Sequence, residues 1–158
     1  MIQRYWRCDI KGASNGKLHG KTLAIKDNVC VAGVPMMNGC RILEGFVPDV
    51  DATVVSRILV AGGRLLGKAV CENLCFDGAS FTSATGPVLN PYDHTRMAGG
   101  SSSGSAALVR SDSPHHSVTV TSRPFSSFIS EDMLSYWLAC KAPGQVVMFR
   151  ELGCAVCL

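Results

Sequence analysis

The order of apolar segments in the first half of the chain constrains the fold more than any other feature. Gly20–Lys26 is an apolar run that ends in a charged residue, and it predicts a short strand followed by a turn at Asp27–Asn28. Asp51-Ala52-Thr53 is a candidate N-cap for a helix that continues to about Ala61, where two glycines end it. A second strand is predicted over residues 64–70. Strand, helix, turn and strand form the βαβ arrangement of a sheet covered by helices, so the predicted fold class is α/β.

Composition excludes several other classes of protein. Hydrophobic residues make up 47% of the 158 residues and charged residues 17%, which is unlike a disordered chain or a coiled coil. The net charge of +3 comes from scattered basic residues, so neither nucleic acid nor an anionic membrane surface is expected as a partner. No run of about 18 apolar residues is present, so no membrane span is predicted.

The eight cysteines bear on where the protein works. The N-terminal residues contain no apolar signal core, so a secreted disulfide framework is not expected. We therefore expect reduced cysteines and a cytoplasmic location.

The chain divides into two unequal segments near Val109. Residues 1–109 carry clear element patterns with glycines at most turns, whereas residues 110–158 are weakly patterned. In the second segment, residues 117–121 alternate like an exposed strand, and residues 131–139 are compatible with a short helix. Neither has an identifiable partner, so residues 110–158 are interpreted as a divergent, irregular tail.

A glycine- and serine-rich loop, Gly99–Ser105, runs directly into the apolar residues 106–109. It lacks the lysine that a phosphate-binding loop needs. Its Gly-x-Ser-x-Gly pattern, centred on Ser102, would suit a nucleophile elbow, but an elbow follows a strand and residues 80–98 are predicted to be an extended loop. A plain linker would not continue into an apolar helix. The remaining interpretation is a catalytic loop that works with a lysine from elsewhere in the chain.

This loop, combined with Lys26-Asp27-Asn28 at a strand end, resembles the amidase signature family. Residues 34–39 are most similar to broad-specificity acyl amidases, and the A-type chain of the glutamyl-tRNA amidotransferases is a more distant relative. The resemblance implies a partial amidase-signature fold, with the first strands and helices of a mixed sheet covered by helices. Further matches occur in order within about residues 17–109: Gly20-Lys21-Thr22, Gly33-Val34-Pro35, Asp51-Ala52-Thr53-Val54-Val55, Gly62-Gly63, Gly67-Lys68, Glu72-Asn73 and Thr85-Gly86-Pro87-Val88-Leu89-Asn90-Pro91.

The resemblance also implies a chemistry. Members of the family hydrolyse carboxylic amides to an acid and ammonia with a Ser-cisSer-Lys triad and without a metal or organic cofactor. By motif match, Lys26 would be the lysine and Ser101 the middle serine, with a cis peptide bond before Ser101. A small-molecule amide is the implied substrate, and homo-oligomers are an open expectation. The loop residues implied to support the pair are Gly99, Gly100, Ser102 and Ser103.

A lysine and a serine suit these roles physically. A lysine acts as a base only in its neutral form, and burial favours that form because water no longer solvates the ammonium. Neutral Lys26 would take a proton through the Ser101 hydroxyl from a nucleophilic serine, which is the usual arrangement of nucleophile, base and orienting group.

The nucleophilic serine of the triad is absent from its expected place. In the family it lies in a second glycine-rich stretch further along the chain, where this sequence reads Arg123-Pro124-Phe125-Ser126-Ser127-Phe128, and no Gly-Gly pair follows Gly100. Ser126 and Ser127 are poor substitutes, because the preceding proline and phenylalanine do not form an anion-binding nest. The oxyanion-binding N–H groups would be lost together with the nucleophile, so the chain is predicted to be an inactive amidase fragment.

The match to the family ends abruptly at Val109. An abrupt end favours a shifted reading frame, a retained intron or an alternative exon over gradual divergence. Most strands that complete the family's sheet would be absent, which would expose apolar edges. We therefore expect this chain to fold poorly alone.

Two functions of other classes stay open. One is a non-catalytic interaction module in which residues 110–158 bind a partner. The other is a serine hydrolase that uses Ser102 as its nucleophile. A zinc site is not expected, because Cys154 and Cys157 form a lone Cys-x-x-Cys that only His115-His116 could complete.

Cys71 and Cys75 are interpreted as structural. They lie one helical turn apart, beside the apolar residues Leu74 and Phe76. Free cysteines behave as small hydrophobic residues, so this group is expected to pack in the core.

Overall fold

The computed structural model describes residues 6–110. They form a mixed three-stranded sheet with two α-helices, which confirms the α/β fold class. Two short 3₁₀ turns, Arg41–Leu43 and Asn73–Cys75, lie in the connections. The elements are β1 (Trp6–Lys11), β2 (Thr22–Lys26), α1 (Thr53–Val60), β3 (Arg64–Ala69) and α2 (Ser103–Arg110).

The strands lie side by side in the order β1-β3-β2. β2 and β3 are parallel and α1 comes between them in the chain, so the predicted strand–helix–strand order is confirmed. β1 pairs antiparallel with β3 and was not predicted. Its signal was present, because Trp6, Cys8 and Ile10 alternate with charged residues in the period of a strand.

The main core lies where α1 packs on the sheet. α1 buries Val54, Val55 and Ile58. An isolated helix of 8 residues is marginal in water, so this apolar face is what stabilises it. The buried cluster comprises Leu18, Leu23, Ile25, Val29, Val31, Val34, Val54, Val55, Ile58 and Leu65.

The predicted side-chain cap of α1 is wrong. Ala52 occupies the N-cap position, and the cap makes no side-chain hydrogen bond. Asp51 instead accepts a hydrogen bond through Oδ1 from the backbone N–H of Ala32, 2.7 Å away. The carboxylate therefore ties the loop after β2 to the start of α1, because the donor that it contacts belongs to that loop.

The predicted extended loop before α2 is present, and Ser80 holds it closed. The Ser80 hydroxyl donates to the carbonyl of Val88 at 2.6 Å and accepts from the N–H of Ala98 at 3.0 Å. α2 then begins against the end of β3, where the Gly104 N–H donates to the carbonyl of Val70 at 3.0 Å. A Cβ on Gly104 would lie 2.6 Å from the Val70 nitrogen, so this approach requires a glycine.

The packing expected around Cys71 and Cys75 is wrong in part. Cys71 is buried, but Leu74 is 55% exposed and Phe76 is 87% exposed. Leu74 and Cys75 have positive φ angles of 48° and 57°. The chain therefore makes a tight 3₁₀ turn here rather than a regular helix, and the two larger apolar side chains stay outside the core.

Several sequence-based interpretations lie outside the described residues. They concern the tail strand over residues 117–121, the tail helix over residues 131–139, and the candidate residues Ser126, Ser127, His115, His116, Cys154 and Cys157. Within residues 6–110, no helix has the length and apolar character needed to span a membrane.

Burial decides how much each valine of α1 contributes to stability. Val55 is fully buried, whereas Val60 of the same helix is 76% exposed. Val55→Ala is expected to lower the free energy of unfolding by about 2 kcal/mol, because it removes buried apolar volume and leaves a cavity. Val60→Ala is the matched control, with an expected change below about 0.5 kcal/mol. Urea unfolding followed by circular dichroism measures both, and equal losses would contradict the described core.

Candidate active site

Two side chains from distant parts of the chain meet at the carboxyl end of β2. Lys26 is the last residue of β2, and Ser101 lies in the loop that precedes α2. The Lys26 Nζ donates a hydrogen bond to the Ser101 Oγ at 2.8 Å, although the residues are 75 positions apart. Lys26 is only 2% exposed. Burying a lysine nitrogen is costly, so this contact has to be held by the surrounding structure.

Backbone contacts hold the peptide bond before Ser101 in place. The Gly100–Ser101 bond is cis, as the family resemblance implies. The Gly100 N–H donates to the carbonyl of Gly78 at 2.7 Å, and the Ser101 carbonyl accepts from the N–H of Glu72 at 3.1 Å. A Cβ on Gly100 would overlap the carbonyl oxygen of Ala79. The loop thus lies directly against neighbouring backbone, which leaves no room for a side chain at position 100.

The carboxylate of Glu72 is the centre of the hydrogen bonds around this loop. Glu72 is fully buried. Its Oε1 accepts from the Ser103 hydroxyl at 2.7 Å. Its Oε2 accepts from the N–H and hydroxyl of Thr82, at 2.8 and 2.9 Å, and from the N–H of Ser83 at 3.2 Å. The sequence marked Glu72 only as part of a motif, since nothing local shows that its partners would come from other segments.

The other loop residues singled out from the sequence have separate positions. Ser103 is buried in the first turn of α2 and contacts Glu72, whereas Ser102 is half-buried. Gly99 has a φ of 80°, which an L-residue rarely adopts. The residues leading into the loop form turns and one isolated bridge, Leu89 with Met97, so the strand that a nucleophile elbow at Ser102 requires is not there.

A buried ion pair adjoins the lysine–serine contact. The Lys68 Nζ lies 3.2 Å from the Asp27 Oδ1, and the Asp27 Oδ2 accepts from the N–H of Met37 at 3.0 Å. Burial raises the pKa of Asp27, and the charge of Lys68 opposes that shift. Burial likewise lowers the pKa of Lys68, and the charge of Asp27 opposes it. Each group therefore stays charged mainly because the other is present.

A cavity of about 750 Å³ opens next to this ion pair. Arg41 and Glu44 add one charge of each sign to the wall formed by Asp27 and Lys68. Lys26 and Ser101 do not line the cavity, so the lysine–serine pair lies beside this open space rather than in it.

Known proteins match the same segment of the chain that carries the lysine–serine pair. The family model described as Amidase matches residues 2–113. An enantioselective amidase from Rhodococcus rhodochrous is 60% identical over 109 residues, which are 68% of this chain and 21% of that protein. The A-type chain of the glutamyl-tRNA(Gln) amidotransferase from Halobacterium salinarum is 45% identical over 100 residues, which are 63% of this chain and 24% of that protein. This chain thus spans about a fifth to a quarter of the length of these curated relatives.

Solved structures show the same partial overlap. The chain is similar to the A-type chain of the glutamyl-tRNA(Gln) amidotransferase from Thermotoga maritima, with a TM-score of 0.60 and 38% identity, over 65% of this chain and 23% of that one. It is also similar to the peptide amidase of Stenotrophomonas maltophilia, with a TM-score of 0.55 and 39% identity, over 60% of this chain and 20% of that one. The described fold is therefore one part of a larger amidase architecture.

Breaking the buried ion pair from one side is expected to destabilise the protein. Lys68→Met leaves the Asp27 carboxylate buried without its cation and should lower the free energy of unfolding by about 3–5 kcal/mol. The double variant Asp27→Asn with Lys68→Met should recover much of that loss, because no buried charge remains. Urea unfolding of both variants and of Asp27→Asn gives the coupling between the residues. Additive effects would show that the pair does not act as a unit.

The Lys68→Met variant also has a defined pH dependence. The pKa of Asp27 is raised in the folded state, so the folded protein holds this proton more tightly than the unfolded chain. The resulting stabilisation is present below the unfolded pKa and is lost as pH rises through the folded pKa. Lys68→Met removes the charge that lowers this pKa, so acidification should restore part of its stability. A loss of stability in Lys68→Met that is independent of pH would contradict this account.

Gly100 tests how closely the serine loop is packed. Gly100→Ala places a methyl group on the Ala79 carbonyl and should lower the free energy of unfolding by about 1–3 kcal/mol. Gly78→Ala is the matched control, because Gly78 is exposed and a Cβ there would meet nothing within 4 Å. Thermal unfolding of both variants measures the difference. Equal melting temperatures would mean that the loop does not lie against Ala79.

Proposed function

Because the chain belongs to the amidase family, we propose that residues 1–109 supply the lysine and the middle serine of a Ser-cisSer-Lys amide hydrolase. The observation that carries this proposal is the hydrogen bond from the Lys26 Nζ to the Ser101 Oγ at 2.8 Å, made by a lysine that is 2% exposed. Such a pair is suited to proton transfer, because the two atoms already lie at hydrogen-bond distance and water is largely excluded.

In the proposed reaction the pair carries a proton away from a nucleophilic serine. Lys26 in its neutral form accepts the hydroxyl proton of Ser101, while Ser101 accepts the proton of the nucleophile. The nucleophile attacks the amide carbon, and the proton returns by the same path to the nitrogen as the C–N bond breaks and ammonia leaves. Water then attacks the acyl group, again through the lysine–serine pair, and releases the acid.

The remaining loop residues act by positioning Ser101. Glu72 holds Ser101 through its backbone N–H and holds Ser103 through its carboxylate, so one residue positions both ends of the short segment. Gly99 and Gly100 allow the backbone to follow its close path, and Ser102 is a supporting hydroxyl. This division of roles fits the general requirement that a reacting group be held by packing and further hydrogen bonds.

The 158-residue chain does not complete this site by itself. The sequence has no Gly-Gly pair after Gly100, and the place of the nucleophile reads Arg123-Pro124-Phe125-Ser126-Ser127-Phe128. Without the nucleophile and the N–H groups that would bind the oxyanion, the proton path has nothing to activate. We therefore propose that residues 1–109 are a partial amidase domain, that residues 110–158 are a divergent tail, and that this chain alone is inactive.

Unsatisfied groups next to the pair support the proposal that a further segment belongs here. Among residues 6–110, the buried oxygens Asn28 Oδ1 and Ser105 Oγ have no hydrogen-bond partner. Asn28 follows Lys26 and Asp27 in sequence, and Ser105 lies in α2, about one turn from Ser101. Buried polar atoms are normally paired, so a nucleophile-bearing segment packed here would satisfy them.

The proposed substrate is a small carboxylic amide, and the proposed location is the cytoplasm. Two of the similar proteins are components of a glutamyl-tRNA(Gln) amidotransferase, which supports assembly with other chains, including further copies of this one. The exposed side chains Phe76 and Ile42, at 87% and 89%, also favour a second candidate, a non-catalytic module that binds another chain. We prefer the amidase function, because an interaction module does not need a buried lysine on a serine hydroxyl.

A chimera tests the lysine–serine pair apart from the missing nucleophile. Residues 1–109 of this chain replace the matching segment of the Rhodococcus rhodochrous amidase, which is 60% identical over 109 residues. The chimera is expected to release ammonia from a carboxylic amide, whereas the 158-residue chain is expected to show no hydrolysis. Lys26→Met in the chimera should lower kcat/KM by about 100- to 10,000-fold, because the general base is lost.

Lys21→Met is the matched control for that chimera. Lys21 lies just before β2 and its side chain is exposed, so its removal is expected to leave kcat/KM unchanged within about twofold. Ammonia release over a range of amide concentrations measures all three proteins. An active Lys26→Met chimera, or serine-dependent turnover by the 158-residue chain, would refute the proposal.

A further inference from the structure

Two cysteines share one hydrogen-bond acceptor beside the lysine–serine pair. The Cys75 Sγ donates to the Asn38 Oδ1 at 3.3 Å, and the Cys71 Sγ donates to the same oxygen at 3.7 Å. The 3₁₀ turn between them places the Cys75 N–H on the Glu72 carbonyl at 2.8 Å. The turn thus brings both thiols to the same side of the chain, facing one amide.

The two thiols differ in their access to solvent. Cys71 is fully buried, whereas Cys75 is half-buried. Cys75, with a φ of 57°, lies at the end of the turn rather than inside a regular helix. A small solute can therefore reach Cys75 first, with Cys71 directly behind it.

The surroundings also favour ionisation of the accessible thiol. Hydrogen bonding from Cys71 lowers the pKa of Cys75 to about 7, and the charge of Lys26 and a hydrogen bond with it act in the same direction. The same hydrogen bond, together with burial, raises the pKa of Cys71. Rotation of the Asn38 amide would present its N–H group to the thiolate in place of its oxygen. The thiolate is the nucleophilic form of cysteine, so the accessible member of the pair is also the reactive one.

We propose that Cys71 and Cys75 form a peroxide-reactive thiol pair, in which Cys75 is oxidised first and Cys71 then closes a disulfide with it. The oxidant is a small hydroperoxide such as hydrogen peroxide. Cysteines in the cytoplasm normally stay reduced, so a pair of this kind is reversible and responds to its surroundings rather than stapling the fold.

Both steps balance. The Cys75 thiolate attacks one peroxide oxygen, the O–O bond breaks, and a sulfenic acid and hydroxide form. The hydroxide takes up the proton that Cys75 lost on ionisation and becomes water. The Cys71 sulfur then attacks the sulfenic sulfur, the S–O bond breaks, and the second oxygen leaves as water with the Cys71 proton. Two thiols are oxidised to one disulfide, and one peroxide is reduced to two waters.

The reaction would change the surroundings of the lysine–serine pair. The Cys75 thiolate is a negative charge next to Lys26, and a disulfide carries none. Oxidation would also remove both donors from the Asn38 oxygen. The thiol chemistry does not depend on amide hydrolysis, because it involves the two cysteines alone and is tested on the chain without any activity assay.

Tryptic peptides separate the cysteine pair from a matched control in one sample. Cleavage at lysine and arginine releases residues 69–96, which contain only Cys71 and Cys75, and residues 27–41, which contain only Cys30 and Cys40. Cys40 is buried and Cys30 is half-buried, but Cys30 contacts the sulfur of Met36 rather than an acceptor shared with Cys40. The control pair thus has similar burial without the shared site.

The folded 158-residue chain is treated with hydrogen peroxide at neutral pH, quenched, alkylated and digested. Residues 69–96 are expected to become two hydrogens lighter and resistant to alkylation, at least about tenfold faster than residues 27–41, because the pair holds more thiolate. Dithiothreitol should reverse the change, and about 8 M urea should abolish the difference in rate, because unfolding removes the shared surroundings. Equal rates in the native protein, or two alkylated thiols in residues 69–96, would overturn the proposal.

Two variants distinguish the roles within the pair. Cys71→Ser should leave Cys75 at the sulfenic acid, which dimedone traps, while Cys75→Ser should leave Cys71 reduced under the same treatment. Cys8→Ser is the control, because Cys8 is a half-buried thiol on β1 and burial raises its pKa. Dimedone adducts on Cys71 rather than Cys75 would reverse the assigned order and overturn the proposal.

Discussion

The buried carboxylate of Glu72 connects the segments on which the site depends. It accepts hydrogen bonds from Thr82, Ser83 and Ser103, and its backbone N–H holds the Ser101 carbonyl. A buried carboxylate is tolerated only when its oxygens are satisfied, so the loop over residues 77–98 and the start of α2 have to take these positions together. The lysine–serine contact is then a consequence, because Ser101 is held where Lys26 emerges from β2.

The sheet explains why polar groups gather at one edge. β2 and β3 are parallel, so their carboxyl ends meet at the same side, as do the functional ends of strands in many α/β proteins. Lys26 ends β2, Asp27 follows it, and Lys68 is the next-to-last residue of β3. The adjoining turn adds Cys75 beside Lys26. Proton transfer and thiol chemistry would thus share one electrostatic environment.

Local patterns predicted most elements of the fold but few of its contacts. The strand ending at Lys26, the helix after position 52 and the strand from Arg64 were all visible as apolar runs bounded by turn residues. The N-cap was wrong because Asp51 bonds to another loop, and the outward position of Leu74 follows from a left-handed turn that composition does not reveal. β1 was visible as an alternating pattern and was overlooked.

The sequence by itself determined the family, through motifs whose order and spacing survive without any coordinates, and it determined the α/β class, through the periodicity of its apolar residues. Tertiary structure alone decided which polar side chains meet. Glu72 lies 31 positions from Ser103, and Lys26 lies 75 positions from Ser101. Periodicity reports only which face of an element is buried, whereas a hydrogen bond depends on where two packed elements bring individual atoms, to within a few tenths of an ångström.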